Sequence, residues 1–290
     1  MTTAWVFPGQ GSQAIAMGND LTELPIGQQK FSEAEQILGW SVIEKCNGNE
    51  EELSQTLYTQ PCLYVVESIL SDLLQEKGYK PDFVAGHSLG EYSALYAAGV
   101  FDFATGLNLV KQRAILMNSA EGGKMAALMK FDRDQLKAVV EATPNLVLAN
   151  DNSEEQVVIS GTPEAVDSAL SQIKAKRAVP LKVSGAFHSP FMQDAAQQFK
   201  TVLEGVSFAD AQVPVLSNVD PSPETAGEVL KDRLIRQMTG SVRWREIMLQ
   251  FSSLAIAEAW EVGPGKVLAG LIKRTNSAII LKNISGITDL

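Results

Sequence analysis

The sequence predicts an α/β fold with a mainly parallel sheet. Two short apolar runs, AWVF (4–7) and DFVAG (82–86), each end in a turn rich in small residues, and from the second a helix follows at once. Strand, turn and helix repeated this way build a doubly wound parallel sheet. A third observation is a change of character in the middle of the chain, where the order strand–helix–strand–strand–helix–strand appears. That order is the split ferredoxin-like pattern.

The first strand runs into the loop Pro8-Gly9-Gln10-Gly11-Ser12. Residues 61–77 read as a helix, with Pro61 suited to a first turn and Gly78 to a stop. After 82–86 a helix is expected from Ser88 to about Ala98, ended by Gly99. Asp102 suits the N-cap of the next helix, to about Ser119. The middle section then reads as strand 125–131, helix 132–142, strands 146–149 and 156–160 around the polar turn NDNSEE, helix 163–175 capped by Thr162, and strand 179–184. We read residues 124–187 as a small ferredoxin-like domain inserted into a large one made of 1–123 and 188–290. Residues 189–290 return to mixed helix and strand, with an acidic loop at 220–224 and a strand ending in EVGPG (261–265).

Composition narrows the functional classes. The 290 residues are 45% hydrophobic, enough for a sizeable core, and carry a net charge of −10, which disfavours nucleic-acid or membrane-surface binding. No apolar run reaches the roughly 18 residues of a membrane span, and no basic-then-apolar leader opens the chain. Two cysteines and two histidines are too few for a disulfide framework or a zinc cluster, so no metal site is expected. A cytoplasmic monomer is the expectation.

The chemistry concentrates at Gly86-His87-Ser88-Leu89-Gly90. A nucleophile elbow sets serine on a sharp strand-to-helix turn, and small residues two before and two after let the chain cross itself closely. The backbone N–H of Leu89, at the helix start, can serve an oxyanion, and Gln10 in the first loop can supply a second N–H. A serine nucleophile needs a base. On an extended backbone His87 points away from its neighbour Ser88, which leaves His188, 100 residues downstream, as the histidine base. No carboxylate stands out as a third member; Asp194 and Glu246 are no better placed than many others.

Arg113 is the second signal. On the helix from 102 to 119 its neighbours three and four residues away are Leu109, Val110, Leu116 and Met117, all apolar. An arginine on an apolar stripe is costly unless it meets an anion or snorkels to water. A guanidinium that clamps a substrate carboxylate is the functional reading. Gly9–Ala14 fits a loose dinucleotide pattern, but its strand is short and ends at a proline; Gly263-Pro264-Gly265-Lys266 lacks the spacing of a phosphate loop. The basic run Lys174, Lys176, Arg177 and Lys182 is either a solvated helix end or a local dock for an acidic partner or a phosphate-bearing carrier.

Taken together, FPGQGSQ (7–13), TQP (59–61), GHSLGE (86–91), KQRAILM (111–117), ANDNSEEQVVISG (149–161), GAFHSPFM (185–192) and EVGPGKVL (261–268) resemble the malonyl-CoA:acyl carrier protein transacylases of dissociated fatty acid synthesis. The resemblance runs nearly end to end. It implies an α/β-hydrolase-like large domain with a ferredoxin-like insert, and malonyl transfer to holo acyl carrier protein through a malonyl-serine. It implies Ser88 as nucleophile, His188 as base and then acid, Arg113 as carboxylate clamp, and the Gln10 and Leu89 N–H groups as oxyanion hole. Gln60 of TQP and Phe187 beside the histidine fall at the substrate, and Phe187 resembles malonyl-selective members. The histidine is oriented by a backbone carbonyl that the resemblance places near Ser241–Arg243. Coenzyme A and phosphopantetheine act as substrates, with no further cofactor. A stand-alone loader of a polyketide or polyunsaturated lipid pathway carries the same motifs. A serine esterase shares only the elbow, and a catalytically dead binding module would not need Ser88, His188 and Arg113 together.

Overall fold

The computed structural model describes residues 1–183 and 185–290. Their strands are β1 (Thr3–Phe7), β2 (Phe83–Gly86), β3 (Lys124–Phe131), β4 (Leu146–Ser153), β5 (Gln156–Gly161), β6 (Ala175–Pro180), β7 (Val215–Leu216), β8 (Glu258–Val262) and β9 (Ile280–Ile284). Their helices are α1 (Pro25–Leu38), α2 (Val42–Cys46), α3 (Glu50–Leu53), α4 (Thr56–Glu76), α5 (Gly90–Ala97), α6 (Phe103–Asn118), α7 (Arg133–Ala142), α8 (Pro163–Gln172), α9 (Gln193–Glu204), α10 (Gly227–Gln237), α11 (Trp244–Ser253) and α12 (Val267–Thr275).

The strands form two sheets. One is parallel, in the order β7-β2-β1-β8-β9. Alternation along β1 sends Trp5 and Phe7 into the core under α1, α4, α5 and α6, and Ala4 and Val6 into a second core under α11 and α12. Helices therefore cover both faces, which is why the strands are apolar throughout rather than alternating. The other sheet is antiparallel, in the order β4-β5-β3-β6. Its Ala126, Leu128, Val157 and Ile159 pack under α7 and α8, and its opposite face is turned toward the ends of β1 and β2.

The α/β class with a separate antiparallel sheet is as expected, and so are the side-chain caps of Asp102 on Thr105 N–H and Thr162 on Ala165 N–H. Several boundaries differ. α4 begins at Thr56, so Pro61 lies inside the helix rather than in its first turn. β4 runs on through Asn150–Ser153, because these polar residues are themselves paired with β5. α8 stops at Gln172, and β6 occupies Ala175–Pro180 rather than 179–184. Leu181 and Val183 are apolar because they line a cavity, not because they form a strand; Ser184 lies outside the described residues.

The two sheets are strapped together by a short loop. Val242 N–H donates to Ala149 O at 2.8 Å, and Asp151 N–H donates to Val242 O at 2.9 Å. The Asp151 carboxylate accepts from Arg133 Nη2 at 2.6 Å and from Arg245 Nε at 2.9 Å, which joins α7 and α11 to the same strand.

Candidate active site

β1 and β2 are parallel neighbours, with Phe7 opposite Gly86. Their carboxyl ends therefore deliver the Gln10 loop and Ser88 to one place, the usual crevice of an open parallel sheet. Ser88 sits in a left-handed conformation with φ 53°. That strained turn is locked by close contact: a Cβ on Gly86 would lie 1.9 Å from the Gly90 carbonyl carbon, and one on Gly90 would lie 2.0 Å from Phe7 O. Only glycine allows these crossings. Asn218 finishes the elbow, its Oδ1 accepting from Ser88 N–H at 2.7 Å while its Nδ2 donates to Gly86 O at 2.6 Å.

The Ser88 hydroxyl donates to His188 Nε2 at 2.8 Å. His188 Nδ1 lies 3.0 Å from Gln237 O and 3.2 Å from Gly240 O. Two carbonyls can only accept, so they fix the tautomer with the proton on Nδ1 and leave Nε2 free to take one. The orienting carbonyls are Gly240 O, next to the expected Ser241–Arg243 stretch, and Gln237 O at the end of α10, which was not expected. The Arg243 side chain is engaged elsewhere, Nε donating to Glu246 at 2.7 Å. Burial first, and the nearby Arg113 cation second, push the His188 pKa down to about 3. The imidazole is neutral at physiological pH, the state a base needs. His87 points away, as expected, its ring paired with Asn152 Oδ1 at 2.7 Å.

Arg113 is 1% exposed. Its Nη1 donates to Gln60 Oε1 at 2.6 Å, and its Nη2 donates to Ser88 Oγ at 3.0 Å and Gln237 Oε1 at 3.1 Å. The guanidinium also lies over the Tyr92 ring, 5.4 Å from its centroid. Among the described residues it forms no direct ion pair; its hydrogen-bond acceptors are neutral oxygens, and Glu91 acts on it at longer range, bridged by Gln237. A carboxylate entering here gains strong charge-assisted bonds.

Gln10, Gln60, Ser88, Leu89, Arg113, Phe187 and His188 all line one cavity of about 340 Å³. Ser88 N–H is already bonded, whereas among the described residues the N–H groups of Gln10 and Leu89 have no protein acceptor. Met125, Ala127, Met129 and Val158 from the antiparallel sheet close the cavity opposite, with Arg177 at its rim. Members of the basic run are divided by β6. Lys176 and Arg177 are consecutive on β6 and so take opposite faces, and Lys182 borders a separate cavity with Glu50 and Glu51.

Two residues at the site, Gln237 and Asn218, gave no sequence signal, and both bind Glu91 of GHSLGE. Gln237 Nε2 donates to Ser88 O at 2.9 Å and to Glu91 Oε2 at 2.7 Å, and its Oε1 accepts from Arg113. Asn218 N–H donates to Glu91 Oε2 at 3.2 Å. Burial raises the Glu91 carboxyl above the usual range, and the Gln237 and Asn218 donors oppose the rise. Among the described residues no group of three or more His, Cys, Asp or Glu is placed to hold a metal ion, and no helix is long and apolar enough to cross a membrane.

The sequence pattern of the acyl transferase domain matches residues 4–282. This chain belongs to the acyl transferase family. Within that family it is 63% identical over 290 residues to the malonyl CoA-acyl carrier protein transacylase of Synechocystis, covering 100% of this chain and 99% of that one. It is 42% identical over 285 residues to the transacylase of the same description in Escherichia coli K12, covering 93% and 92%. The crystal structure of the Synechocystis acyl transferase superposes with a TM-score of 0.99 over 100% of this chain and 99% of that one. A malonyl-transacylase in complex with its type II polyketide acyl-carrier protein superposes with a TM-score of 0.94 at 38% identity, covering 100% and 97%.

Proposed function

We propose that this acyl transferase moves a malonyl group from malonyl-CoA to the phosphopantetheine thiol of holo acyl carrier protein through a malonyl ester on Ser88. The observation that carries the reading is Arg113: a buried guanidinium whose hydrogen-bond acceptors are neutral, 3.0 Å from an Oγ that is itself 2.8 Å from a neutral histidine. The substrate such a site fits is an acyl thioester whose acyl group ends in a carboxylate. The relatives' names point the same way.

Malonyl-CoA enters with its carboxylate on Arg113 and its thioester carbonyl oxygen toward the Gln10 and Leu89 N–H groups. Neutralising the guanidinium lifts the largest of the charge influences that depress His188, so substrate binding raises the proton affinity of the base. His188 Nε2 takes the Ser88 proton as Oγ attacks the carbonyl carbon. The tetrahedral oxyanion sits on the two N–H groups. The C–S bond breaks, and the departing thiolate takes the proton from His188 and leaves as coenzyme A. The carrier's thiol then gives its proton to His188 and attacks the ester; the Ser88 oxygen leaves and recovers that proton. Every step is proton transfer and acyl exchange, so no cofactor is required. The protein acts as a monomer with two domains, 1–123 with 188–290 and 124–187, and the cleft between them admits the arm. Of the basic run, Arg177 at the rim is the member placed to meet an acidic carrier.

Brief incubation with malonyl-CoA followed by intact-mass and peptide analysis tests the reading. A malonyl adduct on Ser88, absent in Ser88→Ala and discharged by holo carrier faster than by water, is expected. An adduct discharged equally fast by water alone would make the protein a hydrolase.

A further inference from the structure

We propose that Thr56 is a positioning residue for the oxyanion hole, and that the first two turns of α4 set the spacing between that hole and the carboxylate clamp. The inference rests on the reading above, in which Gln10 N–H receives the oxyanion.

The Gln10 loop is a tight turn, with Ser12 N–H donating to Gly9 O at 3.1 Å and Gly11 N–H donating to Gln13 Oε1 at 2.7 Å. Gly9 is pressed so tightly on the His87 carbonyl that a Cβ there would lie 2.3 Å from its oxygen, and Gly11 has φ 105° with nothing within 4 Å of where a Cβ would stand. Within that turn, the Gln10 side chain is what ties the Gln10 peptide to a neighbouring helix. That side chain meets Thr56, whose hydroxyl lies 3.1 Å from Gln10 Nε2 and 3.2 Å from Gln10 Oε1. Thr56 is 4% exposed and is the first residue of α4, so the hydroxyl is fixed by a helix rather than by a loop.

One helical turn later on the same face stands Gln60, which accepts from Arg113 Nη1 at 2.6 Å. A single rigid element therefore ties down both contact points of the acyl group: the loop that receives the thioester oxygen and the guanidinium that receives the carboxylate. In a malonyl group those two ends are separated by one methylene, so the two anchors must keep a fixed distance. Displacement of the oxyanion donor by a fraction of an ångström weakens a bond made only in the transition state.

Thr56→Val keeps the branched shape and deletes the hydroxyl; Thr56→Ser keeps the hydroxyl. Rapid-quench mass spectrometry measures the rate of Ser88 acylation by malonyl-CoA and by acetyl-CoA. The valine variant is expected to lower the maximal rate about 10- to 100-fold, by the same factor for both acyl groups. The malonyl-CoA concentration at half-maximal rate should move less than about threefold, because ground-state binding is spared. Thr56→Ser should recover most of the loss. Gln10→Ala, which cuts the same tie from the other side, should match Thr56→Val, and the double variant should add nothing further. Acylation at the wild-type rate in Thr56→Val, even with a lowered Tm, overturns the proposal. So does a loss confined to malonyl, which would place Thr56 with the clamp. Failure of the wild-type chain to form any malonyl-Ser88 refutes the functional reading instead.

Discussion

Replacing Arg113 by Met removes the guanidinium while keeping most of its volume on the apolar face of α6. A malonyl carboxylate on the guanidinium makes two charge-assisted hydrogen bonds, each worth about 1.5–3 kcal/mol. The free enzyme already uses those donors on Gln60, Ser88 and Gln237, so substrate binding exchanges neutral acceptors for a charged one. The net loss on substitution is then about 3–4 kcal/mol, or roughly 10²- to 10³-fold in kcat/KM for malonyl-CoA. An acetyl group offers the guanidinium nothing, so its transfer should stay within about threefold or rise. Coenzyme A release, followed at fixed holo carrier with both donors, gives the two values. Gln60 Oε1 loses its donor in a fully buried position, which costs about 1–3 kcal/mol of stability, so the assay belongs well below the variant's Tm. Equal losses for malonyl and acetyl would mean that Arg113 shapes the site without reading the substrate, and the clamp would have to be abandoned.

Three further outcomes follow from the geometry. His188 has a pKa of about 3 folded against an ordinary histidine value of 6.5. Between those values the unfolded chain binds more protons, so this residue's contribution to stability is complete above pH 6.5 and lost as pH falls toward 3, by at most about 1.4 kcal/mol per pH unit. Denaturant melts of wild type and His188→Ala should converge on acidification, and the acid limb of kcat/KM should lie well below 6.5; an inflection near 6.5 contradicts the buried environment. Gly90→Ala drives a Cβ to 2.0 Å from Phe7 O and should cost about 3 kcal/mol or more, with activity lost alongside; a variant of normal Tm and rate would show that the elbow does not need the crossing. Arg177→Glu should raise the carrier's KM and leave the coenzyme A half-reaction unchanged, whereas Lys176→Glu on the opposite face of β6 should do neither. Identical effects would make the basic run one patch.

Local features were legible in the sequence. The elbow is a five-residue pattern whose glycines are needed by contacts within it and with β1. Arg113 was legible because its neighbours on one helix are apolar. The split strand–helix order of the middle section showed through as periodicity. What escaped notice depends on distant partners or on function. Asn150 and Asn152 look like turn residues, yet they lie in a strand and line the cavity. Leu181 and Val183 look like a strand because a cavity wall wants the same side chains as a core. Gln237 meets Ser88 across 149 residues and Arg113 across 124, and in sequence it is one polar residue on an amphipathic helix. The carbonyls that orient His188 have no side-chain signature at all.

The strap between the sheets has a consequence for the base. Gln237 and Gly240 hold the histidine, and two residues later Val242 is bonded to Ala149 and Asp151 of the cavity wall. The base and the wall hang from the same short length of chain. A motion that swings the wall outward by pulling on Val242 must also loosen the grip on His188. Opening the cleft and disarming the base become one event. Six consecutive residues thus carry both the proton acceptor and one wall of the chamber in which it works.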